Sequence, residues 1–129
     1  MFTLHHQLEH DTYWLADLAL CRVLLMNNQL FPWVILVPRI ENASEIIDLK
    51  PEDRSQLMEE ISQISLAMKA LFKPDKLNVA ALGNQVPQLH IHIIARFTQD
   101  SAWPNPVWGK GHVPYENAQM LINQIQKIL

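Results

Sequence analysis

The segment Gln88-Leu89-His90-Ile91-His92-Ile93-Ile94-Ala95-Arg96 carries nitrogen-bearing side chains at alternate positions. In an extended strand, successive side chains point to opposite faces. Gln88, His90 and His92 then share one face over ~13 Å of backbone, at about 3.3 Å per residue, while Leu89, Ile91 and Ile93 press into a core on the other. Three chemistries fit such a row. The two histidines can be solvent-exposed polar residues. They can hold zinc, but a zinc site needs three or four protein ligands. The remaining histidines, His5, His6, His10 and His112, lie toward the chain ends without an acidic cluster beside them. Finally, a neutral imidazole can attack phosphorus while a second one hydrogen-bonds the phosphate oxygens. Spacing alone leaves all three open.

Regular elements must hold that row in place. Pro51 suits a first helical turn, with Asp48 as its cap and Glu52 and Asp53 complementing the positive end of the dipole. Leu57, Ile61, Ile64, Met68 and Leu71 then form the apolar stripe of an amphipathic helix, which Lys73-Pro74 ends. A C-terminal helix is expected from Pro114, with Ala118, Leu121, Ile122, Ile125 and Ile128 as its apolar face. Strands are expected over Arg22–Met26, Trp33–Val37, Lys76–Leu82 and Gln88–Arg96, with a short early one near Trp14–Leu18. Links through Asn27-Asn28-Gln29-Leu30-Phe31-Pro32 and through Gly83-Asn84 and Pro87 are turn-like. Short connections favour antiparallel pairing, so the class is α+β.

Composition bounds the function. The 129 residues correspond to about one domain, expected to span 1–129. With 49% apolar and 18% charged residues, the chain is a globular mixture and unlike a disordered one. A net charge of −3 argues against a protein that coats DNA or RNA, which needs clustered positive charge. The single cysteine, Cys21, forms no internal disulfide and reads as a small buried hydrophobe. The opening Met1-Phe2-Thr3-Leu4-His5-His6 lacks the basic and apolar regions of a signal peptide. The uncharged run starting at Val23 is broken by Asn27, Asn28, Gln29 and Pro32, unlike a membrane span. A cytoplasmic location without membrane partners is the expectation.

The His90 segment resembles the signature of the histidine triad (HIT) family, His-x-His-x-His followed by apolar residues. Other stretches extend the likeness in order along the chain. Trp33-Val34-Ile35-Leu36-Val37-Pro38-Arg39 resembles the family's strand ending in Pro-Lys/Arg, and Asp48–Leu71 stands where its long helix stands. Leu77-Asn78-Val79 resembles its Leu-Asn strand, and Gly83-Asn84-Gln85-Val86-Pro87 its Gly-Gln-x-Val-Pro approach. The likeness covers residues 20–97, and Trp103–Trp108 is similar, more loosely, to a bacterial branch. It implies a HIT-like α+β fold: an antiparallel sheet of about five strands, one long helix packed on it, and a tail with a C-terminal helix over 98–129. A two-fold homodimer is implied as well.

The resemblance further implies a nucleotide hydrolase or nucleotidyl transferase acting at an α-phosphorus. Its substrate would be a nucleoside phosphoramidate, a dinucleoside polyphosphate or a similar nucleotide. By position, His90 becomes the nucleophile that forms a nucleotidyl-histidine, and His92 a donor to phosphate oxygen. Asn78 and Asn84 match residues that contact phosphate or ribose. Neither cofactor nor metal is expected. Gln88 stands where the first histidine belongs, and Gln85 where many members hold a small hydroxyl residue; neither amide can supply a proton near neutral pH. Those departures motivate an alternative, a nucleotide-binding module with little turnover, and a zinc protein remains a third reading.

Lesser candidates complete the set. Asn27 and Asn28 lie where the family receives ribose hydroxyls, though hairpin asparagines more often serve the turn. Arg39 and Arg96 could hold phosphate. Trp103 and Trp108 pack on the sheet or line a pocket, across a dimer in the second case. Met26, Met58 and Met68 read as core filling.

Overall fold

The computed structural model describes residues 1–129. Its five strands are β1 (Thr12–Asp17), β2 (Cys21–Met26), β3 (Trp33–Pro38), β4 (Lys76–Ala80) and β5 (Ile91–Arg96). They form one antiparallel sheet in the order β1-β2-β3-β5-β4. The helices are α1 (His6–Asp11), α2 (Pro51–Phe72) and α3 (Gln119–Ile128), with a single 3-10 turn at Ile46–Asp48. The α+β class, the five strands, the long helix and the C-terminal helix therefore match the sequence expectation.

Alternation along β2, β3 and β5 separates two apolar cores. Val23, Leu25, Val34, Leu36, Ile91, Ile93 and Ala95 face α2 and α3, meeting Leu57, Ile64, Met68, Ile122 and Ile125. Leu24, Trp33, Ile35, Val37 and Ile94 face the other way, meeting Leu8, Phe31, Ala102 and Val107. Loops and chain ends, not a long helix, cover that second face. Between Trp14 and Ala16 the β1–β2 register slips, and the carbonyl of Leu15 there accepts from Gln126 Nε2 of α3 at 3.0 Å. A bulge frees a backbone group from the ladder in just this way.

Several local expectations need correction. Lys50, not Asp48, precedes α2 as its cap, without a side-chain hydrogen bond; Pro51 does occupy the first turn. The Asp48 carboxylate instead accepts from the amides of Ser44 and Glu45, which hold its pKa below the usual range. On α2, Ile61 and Leu71 are only partly buried, whereas Glu60 is buried. Its carboxylate receives the amides of Leu20 and Cys21 and the Gln56 amide, tying α2 to the β1–β2 turn. Cys21 is fully buried, and desolvation pushes its thiol pKa up. Met58 is exposed rather than core. The last helix starts at Gln119, well beyond Pro114, and Ile128 at its end is exposed. The strand ends differ too: β4 stops at Ala80 and β5 begins only at Ile91. Helix α1 carried no sequence signal strong enough to place it. No helix is long and apolar enough to cross a membrane.

Candidate active site

His90 lies at the last residue before β5, and His92 is its second residue. Alternation does put His92, Ile94 and Arg96 on one face, but that face is not solvated: all three are buried, as is His90. The covering layer decides what each ring can do.

Take His90 first. Its Nδ1 lies 2.7 Å from the carbonyl oxygen of Gln88. A carbonyl only accepts, so Nδ1 carries the hydrogen and Nε2 keeps its lone pair. No protein group binds Nε2, yet no buried side-chain nitrogen or oxygen lacks a partner. The free Nε2 therefore reaches solvent although the residue as a whole is only 5% exposed. Desolvation lowers the pKa of His90 below the ordinary value of 6.5, outweighing the Gln88 hydrogen bond that raises it. Its neutral form thus prevails at neutral pH, with one nitrogen fixed and the other open.

The ring borders a cleft of about 320 Å³ lined by Ser44, Glu45, Gly83, Asn84, Pro87 and Gln88, among others. Gly83 makes the close approach feasible. A Cβ there would fall 2.7 Å from the Val86 carbonyl oxygen and 3.5 Å from His90 Cε1, so any side chain would push the loop off the ring. At the other wall, Leu89 donates its amide to the Ala43 carbonyl at 2.9 Å, fixing the approach to His90 against the segment that holds Ser44.

His92 is differently engaged. Trp33 Nε1–H donates to its Nδ1 at 3.0 Å, and its own Nε2 donates to the Leu82 carbonyl at 3.1 Å. Trp33 and Trp108 stand edge-on to it, with ring centroids 5.6 and 5.1 Å away, and His90 lies 4.8 Å away, also edge-on. Burial takes its pKa down to about 4, so the ring is neutral throughout the physiological range. Donation from His92 to a phosphate would require surrendering Leu82. What His92 holds here is the loop that carries Gly83 and Asn84.

The other expected site residues separate into two groups. Asn84 joins His90 and Gln88 at the cleft. Gln85 is exposed and does not line it. Asn78 on β4 accepts from Arg96 Nη1 at 2.7 Å. Asn27 accepts the Tyr115 amide at 2.9 Å. Gln88 uses both ends of its amide on the N-terminal segment: Oε1 accepts from the His5 amide at 2.8 Å, and Nε2 donates to the Thr3 carbonyl at 2.9 Å.

Arg39 and Arg96 are both committed as well. Arg39 donates to the carbonyls of Leu18 and Ala19 and pairs with Asp17. Arg96 pairs bidentately with Asp100, donates to Asn78 and the Asn105 carbonyl, and lies between the rings of Phe31 and Trp103. Asn28 closes its turn on the Leu30 amide and also binds the Val113 amide and the Gly111 carbonyl. Sequence reasoning missed Trp33 and Leu82 as partners of His92, and Ser44 and Glu45 as cleft walls. The lone clue was Trp33, an aromatic donor opening an expected strand. No three His, Cys, Asp or Glu side chains gather where a metal ion could be held.

The family profile described as HIT domain matches residues 7–99. A histidine triad protein from Marinobacter aquaeolei is 50% identical, with 100% of this chain and 96% of that one covered at a TM-score of 0.96. One from Bradyrhizobium japonicum is 48% identical over 98% of this chain and 96% of that chain, at a TM-score of 0.95. Another, from Sinorhizobium meliloti, is 39% identical over 99% and 97%, at a TM-score of 0.95. Among curated proteins none matches.

Proposed function

This chain belongs to the histidine triad (HIT) family, and from that premise we propose that it is a nucleotide hydrolase or nucleotidyl transferase working through His90. The observation that carries the reading is the split state of that ring: Nδ1–H held by the Gln88 carbonyl, Nε2 bare and open beside Gly83 and Asn84. In the first step, Nε2 bonds to the α-phosphorus and the bond from phosphorus to the leaving group breaks, its electron pair going to the leaving atom. The positive charge that appears on the ring is spread into the Nδ1–H···O=C bond. Water or another hydroxyl acceptor then attacks phosphorus and releases its proton to solvent, the N–P electron pair returns to the ring, and neutral His90 is restored.

Asn84 is assigned to the phosphate oxygens, because its amide lies on the same cleft. Asn78 acts through Arg96, holding the β4–β5 wall. Gln85 and Asn27 are assigned only peripheral contact with nucleotide, and His92 enters as the prop of the Leu82 loop. Gln88 occupies the place of the family's first histidine, the feature of the bacterial branch to which we assign the chain. A single domain over 1–129, a homodimer and a cytoplasmic location complete the reading, with no cofactor assigned.

A second reading, a nucleotide-binding module without turnover, is favoured by one observation: the amide of Gln88 is spent on Thr3 and His5, and both nitrogens of His92 are spent within the fold. Incubation with a nucleoside phosphoramidate or a dinucleoside polyphosphate, followed by intact-mass measurement after acid-free quenching, separates the two. A mass gain of one nucleotidyl group that His90→Ala abolishes supports the enzyme. Calorimetric binding of nucleoside monophosphate without adduct or product would establish the module.

A further inference from the structure

Gln88 does something a histidine at that position could not. Its carboxamide meets the backbone at two points, receiving the His5 amide at 2.8 Å and donating to the Thr3 carbonyl at 2.9 Å. A neutral imidazole also has one donor and one acceptor, but on opposite edges of the ring, so it cannot place both against neighbouring groups of one chain segment. The N-terminal segment is thereby drawn across the chain just before the reactive ring. Beside the His90 cleft lies a second hollow of about 340 Å³, lined by Thr3, His5, Glu41, Asn42 and others. Ser44, Pro87 and Gln88 border both hollows, so the two adjoin, with His90 lining one and His5 the other.

The His5 ring is held in a definite tautomer. Its Nδ1 accepts the Gln7 amide at 3.0 Å, so the neutral ring carries its hydrogen on Nε2. That Nε2–H has no protein partner and, like Nε2 of His90, is not among the buried atoms. His6 stacks on the ring with centroids 4.4 Å apart, limiting its rotation. A positive charge on His5 is felt at His90, where it lowers the pKa, in keeping with their closeness.

We propose that His5 is a further catalytic residue, whose Nε2–H hydrogen-bonds the leaving group of the nucleotide, and that Gln88 is the positioning residue that delivers it. This deepens the reading that His90 is a nucleotidyl acceptor and rests on it. As His90 Nε2 bonds to phosphorus and the P–O bond breaks, the electron pair passes to the leaving oxygen. His5 stabilises that oxyanion by hydrogen bond and keeps its proton, since losing it while Nδ1 serves as acceptor would leave an imidazolate. The leaving group goes off as an anion and protonates from water. The class of substrate is therefore one whose leaving group departs as an oxyanion.

The test uses the full chain and a series of aryl esters of one nucleoside monophosphate, from 4-nitrophenyl to unsubstituted phenyl. His5→Ala removes the donor. His5→Ser also removes it but keeps an oxygen to cap the Gln7 amide. Loss of one donor to a developing oxyanion costs about 100- to 1,000-fold where charge is greatest. Both variants should lose that factor in kcat on the phenyl ester and less than about threefold on the 4-nitrophenyl ester, so the dependence on phenol pKa steepens. Gln88→Ala should steepen it in the same direction. Equal losses along the series, or none, overturn the role of His5 while leaving that of His90 intact. If the wild-type chain forms no nucleotidyl adduct with any ester, the hydrolase reading falls and this one falls with it.

Discussion

The two faces of the sheet are covered by different means. On one, α2 and α3 lay apolar side chains onto Val23, Val34, Ile91 and Ile93, with Glu60 and Gln126 as polar ties. On the other, segments from both ends of the chain are held by side chains: Gln88 on residues 3–5, Asn28 on residues 111–113, and Arg96 on Asp100 and Asn105. A helix satisfies its own backbone, so it needs only a greasy stripe to dock. An irregular segment brings unpaired amides and carbonyls that must find partners. Polar residues on the second face therefore divide between holding the cover and meeting a ligand, and His90 Nε2 is the clearest one left open.

The sharpest way to break this contrast is His90→Ala. It should abolish nucleotidyl-enzyme formation, a loss of at least about 1,000-fold in turnover, while the melting temperature stays within a few degrees. A comparable loss of stability would mean that His90 is a structural tie like its neighbours. Next in size is Arg96→Ala. It strands the Asp100 carboxylate and should cost about 3–5 kcal/mol in denaturant unfolding, whereas an unchanged midpoint would show that the tail is not held through this pair. Ile64→Ala, on the helix face, should cost about 2–5 kcal/mol as a cavity and leave kcat per folded molecule unaltered. A kcat that fell with it would dissolve the division between the faces.

Two pH experiments sharpen it further. The Arg96 hydrogen bond holds the Asp100 pKa far below the usual carboxylate range. The folded value is depressed, so the stability advantage over Asp100→Asn is complete above the unfolded value of about 3.9 and shrinks as pH falls below it. Unfolding curves from pH 6 to pH 2 would check this, and a constant difference would refute it. For His90 the folded pKa is lowered by burial, so kcat/KM should hold through pH 6.5 and decline only below it. A midpoint above 6.5 would contradict the desolvated site.

Much of the helix face was legible in the sequence. Leu57, Ile64 and Met68 recur at helical spacing, Pro51 and Lys73-Pro74 bracket the element, and the strand runs alternate, because local periodicity and the buried face share one cause. The site was legible in part. The histidines stood out by type and spacing, and Gly83-Asn84 by turn chemistry. Nothing local to Asn78 or Asn27 announced that their carbonyl oxygens bind Arg96 and the Tyr115 amide, partners 18 and 88 residues away in the chain. Asp48 looked like a helix cap but turned back to Ser44 and Glu45, since a short carboxylate takes whichever amides its local turn presents.

By itself the sequence determined the α+β order of elements, the apolar side of α2, and the presence of two imidazoles two residues apart. Only the tertiary structure decided that one of them keeps a ring nitrogen open while the other has both nitrogens bound within the fold. Whether a ring nitrogen is open depends on which distant donors and acceptors reach it, and Trp33, Leu82 and the N-terminal segment are brought to this strand by the fold rather than by nearness in the chain.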